Sequence, residues 1–181
     1  MKQGHQTHNQ NRTPPPKTEE VHHHHRGPQI LPPKLRRVDW FLTISGCGRC
    51  RRPHVIRVAD LEAFPRVRCA TALRCAGQRG ERARWEGIPL RCILRRGHLA
   101  GGIQSAILYG RDEHWSAIPV RDLFTSNAIF VTQKNGKALG HRDGGPVRLI
   151  VPEEKGWKSV KWISRITFTK RLRRGHRHKV T

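Results

Sequence analysis

The apolar residues of this chain fall into short runs with a period of two residues. The clearest run covers residues 40–45, where Trp, Leu and Ile alternate with Phe, Thr and Ser before Gly46. A period of two places successive side chains on opposite faces of a strand, so this run predicts a β-strand. Further strands are predicted at 54–58, 67–73, 103–109, 128–132, 147–151 and 166–169.

The predicted helices are few and short. Residues 58–61 are typical of one helical turn, 120–124 of a short helix, and another short helix begins at Pro89 and stops before Gly97. Asn135-Gly136 is the strongest turn signal in the chain. Because strands and helices do not alternate regularly, the pattern favours an α+β fold class, with mixed β-sheets and short helices.

The composition divides the chain into an arm, one domain and a tail. Residues 1–37 hold six of the twelve prolines, the run His22–His25 and few large apolar side chains, which is typical of a disordered arm. The length of 181 residues leaves room for one domain, which we expect at 38–169. Residues 170–181 are rich in Arg, Lys and His and are expected to form a basic tail.

A large positive charge is the most unusual feature of the composition. The chain has 36 Lys and Arg against 13 Asp and Glu, which gives a net charge of +23. Residues 38–169 alone hold 23 Lys and Arg against 11 Asp and Glu, so we expect an anionic ligand or partner for the domain itself. Nucleic acid is the ordinary partner of such a chain, because phosphate contacts need no specific geometry.

The sequence shows no sign of targeting to a membrane. The N-terminal residues contain no apolar signal-peptide core, and no stretch approaches the ~18 apolar residues that a membrane span requires. Arg36-Arg37 is similar to a twin-arginine export signal, but Asp39 and the lack of a following apolar run argue against one. We therefore expect a cytoplasmic protein with no membrane partner.

The five cysteines raise the question of a zinc site. Cys47 and Cys50 form a CxxC pair, which is able to present two thiolates to one zinc ion. A second pair would have to come from Cys69, Cys75 and Cys92, whose spacing matches no second CxxC motif. A basic nucleic-acid-binding protein with a structural zinc at Cys47 and Cys50 therefore stays open as an alternative function.

Two motifs in the middle of the chain are more specific. Residues 72–79 read Ala-Leu-Arg-Cys-Ala-Gly-Gln-Arg, and residues 85–90 read Trp-Glu-Gly-Ile-Pro-Leu. Together they resemble the signature of the sulfite oxidase superfamily of molybdopterin enzymes, in which Asn is usual where this chain has Gln78. The blocks at 135–139, 144–152 and 156–162 follow in the family's order, so the resemblance covers about residues 38–169.

The resemblance implies a sulfite oxidase-type fold with a molybdenum-molybdopterin cofactor and Cys75 as the protein ligand to molybdenum. A thiolate is a soft ligand that suits such a metal, and Arg74 and Arg79 would favour the thiolate over the thiol. Arginine forks and hydroxyl or ammonium donors suit the phosphate and the polar edges of a pterin. The positions that match cofactor-binding residues of the family are Asp143, Arg148, Ser159, Val160 and Lys161.

One of these positions departs from the family pattern. Asp143 stands where Asn is typical, and a carboxylate accepts hydrogen bonds without donating any. Together with Gln78 and the many arginines, this departure leaves open a degenerate family member that keeps the fold without catalysis.

The implied reaction is a two-electron redox or oxo-transfer step on a small anionic substrate. Arg79 is the candidate for attracting that anion, with Arg111 and His114 as weaker candidates. Tyr109 is expected in the core, so the tyrosine that sulfite-oxidising relatives place near the metal is not assigned. Electrons would pass to a separate electron-transfer partner, while nucleic acid is not expected except through the basic tails.

Overall fold

The structure is a computed structural model that describes residues 21–22, 32–34, 36–48, 52–73, 82–95, 98–152 and 158–177. Two short α-helices occur in this part of the chain, α1 (Leu90–Ile93) and α2 (Val120–Thr125). Short 3-10 helices cover Arg37–Asp39, Val58–Ala63 and His141–Asp143. The strands are β1 (Val21–His22), β2 (Phe41–Ser45), β3 (His54–Arg57), β4 (Val67–Ala72), β5 (Arg82–Pro89), β6 (Ser105–Gly110), β7 (Trp115–Pro119), β8 (Ile129–Lys134), β9 (Lys137–Ala138), β10 (Arg148–Ile150), β11 (Ile163–Thr169) and β12 (Gly175–Arg177).

The described strands form two sheets. A seven-stranded sheet has the order β1-β12-β7-β6-β11-β2-β3, in which β11 runs parallel to β2 and antiparallel to β6. A five-stranded sheet has the order β10-β8-β5-β4, with β9 also paired to β8, and all of its pairs are antiparallel. The fold is therefore α+β with mixed sheets and few short helices, as the sequence predicts.

The main hydrophobic core lies between the two sheets. The seven-stranded sheet contributes Leu42, Leu108 and Ile166, and the five-stranded sheet contributes Ile88 and Phe130. Because side chains alternate along a strand, the five-stranded sheet presents a second apolar set on its other face. This smaller cluster consists of Ala83, Trp85, Ile129, Val131, Leu139 and Ile150.

Five strands, β1, β5, β7, β9 and β12, lack a counterpart among the sequence predictions. Strand β5 begins Arg-Ala-Arg-Trp-Glu-Gly, in which Trp85 is the one large apolar residue between the small Ala83 and Gly87. Strand β7 follows β6 after a short turn. Pro89 is the last residue of β5 and caps α1, whereas the sequence predicted it inside the helix. Strands β1 and β12 lie outside the predicted domain bounds of 38–169 and pair with each other.

No helix in the described ranges is long and apolar enough to cross a membrane.

Candidate functional site

A glycine-containing loop between β9 and β10 is fixed closely against the segment that precedes β11. Gly144 has a φ of 99°, and a Cβ on it would lie 2.8 Å from the Cβ of Lys161. Gly145 is packed against the carbonyl groups of Leu139 and Gly140, so a side chain there would meet backbone. Glycine is thus required where the two chain segments approach each other.

Residues 158–162 are held to this loop by backbone and indole hydrogen bonds. The amide of Val160 donates to the Leu149 carbonyl and its own carbonyl accepts from the Leu149 amide, both at 2.9 Å. The Trp162 amide donates to the Gly144 carbonyl at 3.2 Å, and Nε1 of its buried indole donates to the His141 carbonyl at 2.9 Å. These bonds fix residues 159–161 beside the 140–145 loop.

Arg148 is a buried cation, with 6% of its surface exposed. It lies on β10 beside the smaller apolar cluster, and its guanidinium carbon is 5.2 Å from the centre of the Trp85 ring. Its Nη1 donates to the Asp143 carbonyl at 3.0 Å. A charged group is held in a buried position only with such partners, so the orientation of Arg148 is well defined.

Two lysines approach the same loop. Nζ of Lys134 is 3.0 Å from Oδ1 of Asp143 and 5.5 Å from the Trp85 ring centre. Nζ of Lys161 donates to the Arg142 carbonyl at 2.9 Å and lies 5.4 Å from the Trp162 ring centre. The loop therefore binds three cations, Lys134 through the Asp143 carboxylate, Arg148 through the Asp143 carbonyl and Lys161 through the Arg142 carbonyl, which makes this region electropositive.

Lys158 and Ser159 precede Val160 in the chain, whereas Lys161 follows it. Ser159 is buried, and its Oγ accepts a hydrogen bond from the Val151 amide at 3.1 Å, so its hydroxyl proton points elsewhere. Lys158 contacts Asp122 of α2, with Nζ 3.5 Å from Oδ2. This half-buried ion pair connects the segment to the helix that packs under it.

Five of the six predicted cofactor positions fall within the described residues, and the fold brings them together. These residues are Asp143, Arg148, Ser159, Val160 and Lys161. The predictions for Cys75 and Arg79 lie outside the described residues. The described chain stops at Leu73 and resumes at Arg82. Leu73 packs against the smaller apolar cluster. Ala72 and Arg82 are cross-strand partners in β4 and β5.

The two weaker candidates, Arg111 and His114, lie in the turn between β6 and β7, where the Arg111 amide donates to the Trp162 carbonyl at 3.1 Å. Arg111 is exposed, with its guanidinium carbon 4.6 Å from the centre of the Trp40 ring. His114 is buried in the turn between β6 and β7, where its carbonyl accepts a hydrogen bond from the Gly110 amide at 2.8 Å. The expectation of a core Tyr109 is wrong, because its ring is half-buried on the outside of the seven-stranded sheet beneath Arg165.

Among the described residues, the proposed zinc ligands do not form a metal-binding cluster. Cys47 is 3% exposed and belongs to the main core, and Cys50 lies outside the described residues. Within the described part of the chain there is no group of three or more His, Cys, Asp or Glu side chains able to hold a metal ion.

Sequence reasoning placed Trp85 in a family motif without assigning it a role in this region, and did not identify Lys134. Trp85 is 3% exposed and is contacted by both Arg148 and Lys134. Trp85 and Lys134 are cross-strand partners in β5 and β8, although 49 positions separate them in the sequence. Only the pairing of these strands brings them together, so neither residue carries a local signal of its role.

Comparisons with known proteins give a consistent result. The sequence model of the family described as "Oxidoreductase molybdopterin binding domain" matches residues 29–177. Inducible NADH nitrate reductase 1 of Glycine max is 26% identical over 183 residues, covering 81% of this chain and 20% of that protein. The uncharacterized oxidoreductase YuiH of Bacillus subtilis (strain 168) is 26% identical over 132 residues, covering 72% of this chain and 66% of that protein.

A solved structure shows the same architecture. The sulfane dehydrogenase SoxCD from Paracoccus pantotrophus superposes with a TM-score of 0.68 and 25% sequence identity, over 76% of this chain and 40% of that chain. The chain thus spans a fifth of the nitrate reductase and less than half of the sulfane dehydrogenase chain.

Proposed function

Because this chain belongs to the oxidoreductase molybdopterin-binding domain family, we propose that it performs a two-electron redox or oxo-transfer step on a small anionic substrate. The cofactor is molybdenum-molybdopterin, which the family and its relatives imply. This group supplies the redox chemistry when it is bound, while the protein supplies binding, orientation and electrostatics.

The observation that carries the proposal is the electropositive loop region around Asp143. The cations of Lys134, Arg148 and Lys161 exceed the negative charge of that carboxylate, so a phosphate-bearing group would stabilise the cluster. Arg148 is held by the Asp143 carbonyl and by Trp85, so its planar donor group is already oriented before a ligand binds. The donor chemistry of these residues fits a molybdopterin.

Each predicted cofactor residue then has a distinct part. Arg148 and Lys161 would contact the anionic and carbonyl groups of the pterin, and the buried Ser159 hydroxyl would donate one hydrogen bond. The Val160 amide is used by Leu149, so Val160 would act by fixing Ser159 and Lys161 on either side of it. Asp143 would act through Lys134, which its carboxylate holds at 3.0 Å.

Cys75 is the proposed molybdenum ligand and Arg79 the proposed attractor of the substrate. Both lie in the sequence between Leu73 and Arg82, and β4 and β5 pair where these flanking segments are described, at Ala72 and Arg82. Arg148 stacks on Trp85 of that same β5 strand. A thiolate is a suitable donor to such a metal, and a neighbouring arginine favours the ionised form.

The positive charge and the relatives support the proposed substrate class. The relatives include nitrate reductases and a sulfane dehydrogenase, and nitrate is a small oxoanion. An electropositive site raises the local concentration of such anions. Electrons would pass between the site and a separate electron-transfer protein.

Metal and pterin analysis tests this proposal on protein purified from a host that makes molybdopterin. We expect molybdenum and pterin in equal amounts in the wild type. Cys75→Ser should lose one sulfur neighbour of molybdenum, as measured by X-ray absorption, whereas the half-buried Cys92→Ser should not.

Other outcomes identify the alternatives. Zinc in place of molybdenum would support the nucleic-acid-binding alternative, and absence of both metal and pterin would support a degenerate family member. An unchanged sulfur count in Cys75→Ser would contradict the role of that cysteine.

A further inference from the structure

The seven-stranded sheet has a second face, turned away from the main core, which we call the outer face. The strand register aligns five of its residues in one row across β7, β6, β11, β2 and β3. Trp115 and Tyr109 are half-buried, Arg165 is exposed, and Val55 is 56% exposed. The row consists of Trp115, Tyr109, Arg165, Thr43 and Val55.

The centre of this row is a stacked cation. The guanidinium carbon of Arg165 lies 4.0 Å from the centre of the Tyr109 ring, which is close enough for stacking. Phe41, on the same face of β2, is 41% exposed. The outer face therefore presents a guanidinium plane and an exposed aromatic ring, both of which stack on nucleic-acid bases.

A basic segment crosses one end of the outer face. The Arg173 amide donates to Ser105 Oγ at 2.7 Å, and the Arg171 amide donates to Thr169 Oγ1 at 3.2 Å. Lys170, Arg171 and Arg173 are all exposed. Ser105 is four residues from Tyr109 along β6, so the backbone of Arg173 lies about 13 Å from Tyr109.

We propose that the outer face binds single-stranded nucleic acid. Bases would stack on the Tyr109–Arg165 pair and on Phe41, and phosphates would contact residues 170–173. Aromatic and guanidinium stacking combined with a basic track is the usual means of binding single strands without sequence preference. The net charge of +23 matches a polyanion of this kind.

The position and composition of this surface favour a single strand over other partners. Arg165 stacks on Tyr109 outside the main core, so the exposed guanidinium plane is available to a base. Residues 1–37 have seven Lys and Arg against two Glu, so this arm does not complement a basic surface. In a duplex the base pairs stack on one another, which covers the flat faces that a protein side chain would stack on.

The test is fluorescence anisotropy on the full chain with a labelled oligothymidylate of about 12 nucleotides. We expect the single strand to bind at least about fivefold more tightly than a duplex of equal length, with an affinity that falls as salt rises. Equal affinity for single strand and duplex would overturn the proposal. Stronger competition by polyglutamate than by unlabelled oligonucleotide would also overturn it and would indicate an acidic protein partner.

Matched variants separate stacking from charge alone. Arg165→Gln should weaken binding about tenfold and Phe41→Ser about fivefold, because each removes a stacking surface. Arg121→Gln on α2 removes the same charge from a side chain that is 71% exposed, and should change binding less than about twofold. Equal losses for Arg165→Gln and Arg121→Gln would show that only net charge matters.

Discussion

The two cationic regions of this domain differ in what holds the cations. Near the 140–145 loop, Arg148 and Lys161 donate to backbone carbonyls and lie beside indole rings. On the outer face, Arg165 rests on Tyr109 and its side chain is exposed. The first region is an oriented donor set, and the second is a surface whose cations are screened by salt.

This difference explains how one basic chain can offer two kinds of anion site. A buried guanidinium with fixed partners discriminates by geometry, since a ligand must place its acceptors where the donors already point. Exposed cations attract any polyanion, and their contribution falls as ionic strength rises. Net charge alone therefore does not distinguish a cofactor site from a polyanion surface.

Arg148→Gln and Arg165→Gln are expected to differ most, both in unfolding free energy and in the amount of bound pterin. Arg148→Gln removes a charge-assisted bond in a buried position and should cost about 2 kcal/mol of unfolding free energy, together with most of the bound pterin. Arg165→Gln should cost about 0.5 kcal/mol and leave pterin content unchanged. Urea unfolding and pterin fluorescence measure both effects, and similar pterin contents in the two variants would refute the distinction.

Gly144→Ala tests the close approach of the loop to Lys161. The residue has positive φ, and the added Cβ would also press on the Lys161 side chain, so we expect a loss of about 3 kcal/mol. Gly136 has a φ of 79°, and a Cβ added there would meet nothing within 4 Å, so Gly136→Ala should cost only about 1 kcal/mol. Equal losses in urea unfolding would mean that backbone strain alone explains the glycine at 144.

The sequence predicts the parts of this fold that have a local signal. The strand at 41–45, the helical turn at 58–63 and the Asn135-Gly136 turn are all found close to their predicted places. In contrast, β12 has the sequence Gly-His-Arg and forms through backbone pairing with β7, which leaves no apolar pattern to detect. Strands of this kind depend on an existing sheet edge rather than on their own residues.

The same reasoning applies to the candidate site. Arg148 and Lys161 were identified through motif positions, and the structure places both beside the 140–145 loop. The contact of Lys134 with Trp85 was missed because it depends on the pairing of β5 with β8. The engagement of the Val160 amide by Leu149 was also not predictable, since it depends on an isolated bridge between distant residues.

Two matched tryptophans allow a comparison in which the expected loss of stability is small and equal, so that only the effect on the cofactor differs. Trp162 and Trp40 are both fully buried, and each indole Nε1 donates to a backbone carbonyl at 2.9 Å. Replacing either by Phe removes one such bond, so each variant should lose about 1 kcal/mol of unfolding free energy. Their effects on the cofactor should nevertheless differ.

The difference follows from the partner of each indole. Trp162 bonds to His141 in the loop that orients Arg148 and Lys161, whereas Trp40 bonds to Ile163 at the start of β11. Trp162→Phe should therefore lower pterin content in purified protein, while Trp40→Phe should retain the wild-type content at the same stability. If both variants lost pterin equally, overall stability would control cofactor retention, and the local hydrogen bond between Trp162 and His141 would have no specific part in orienting the site.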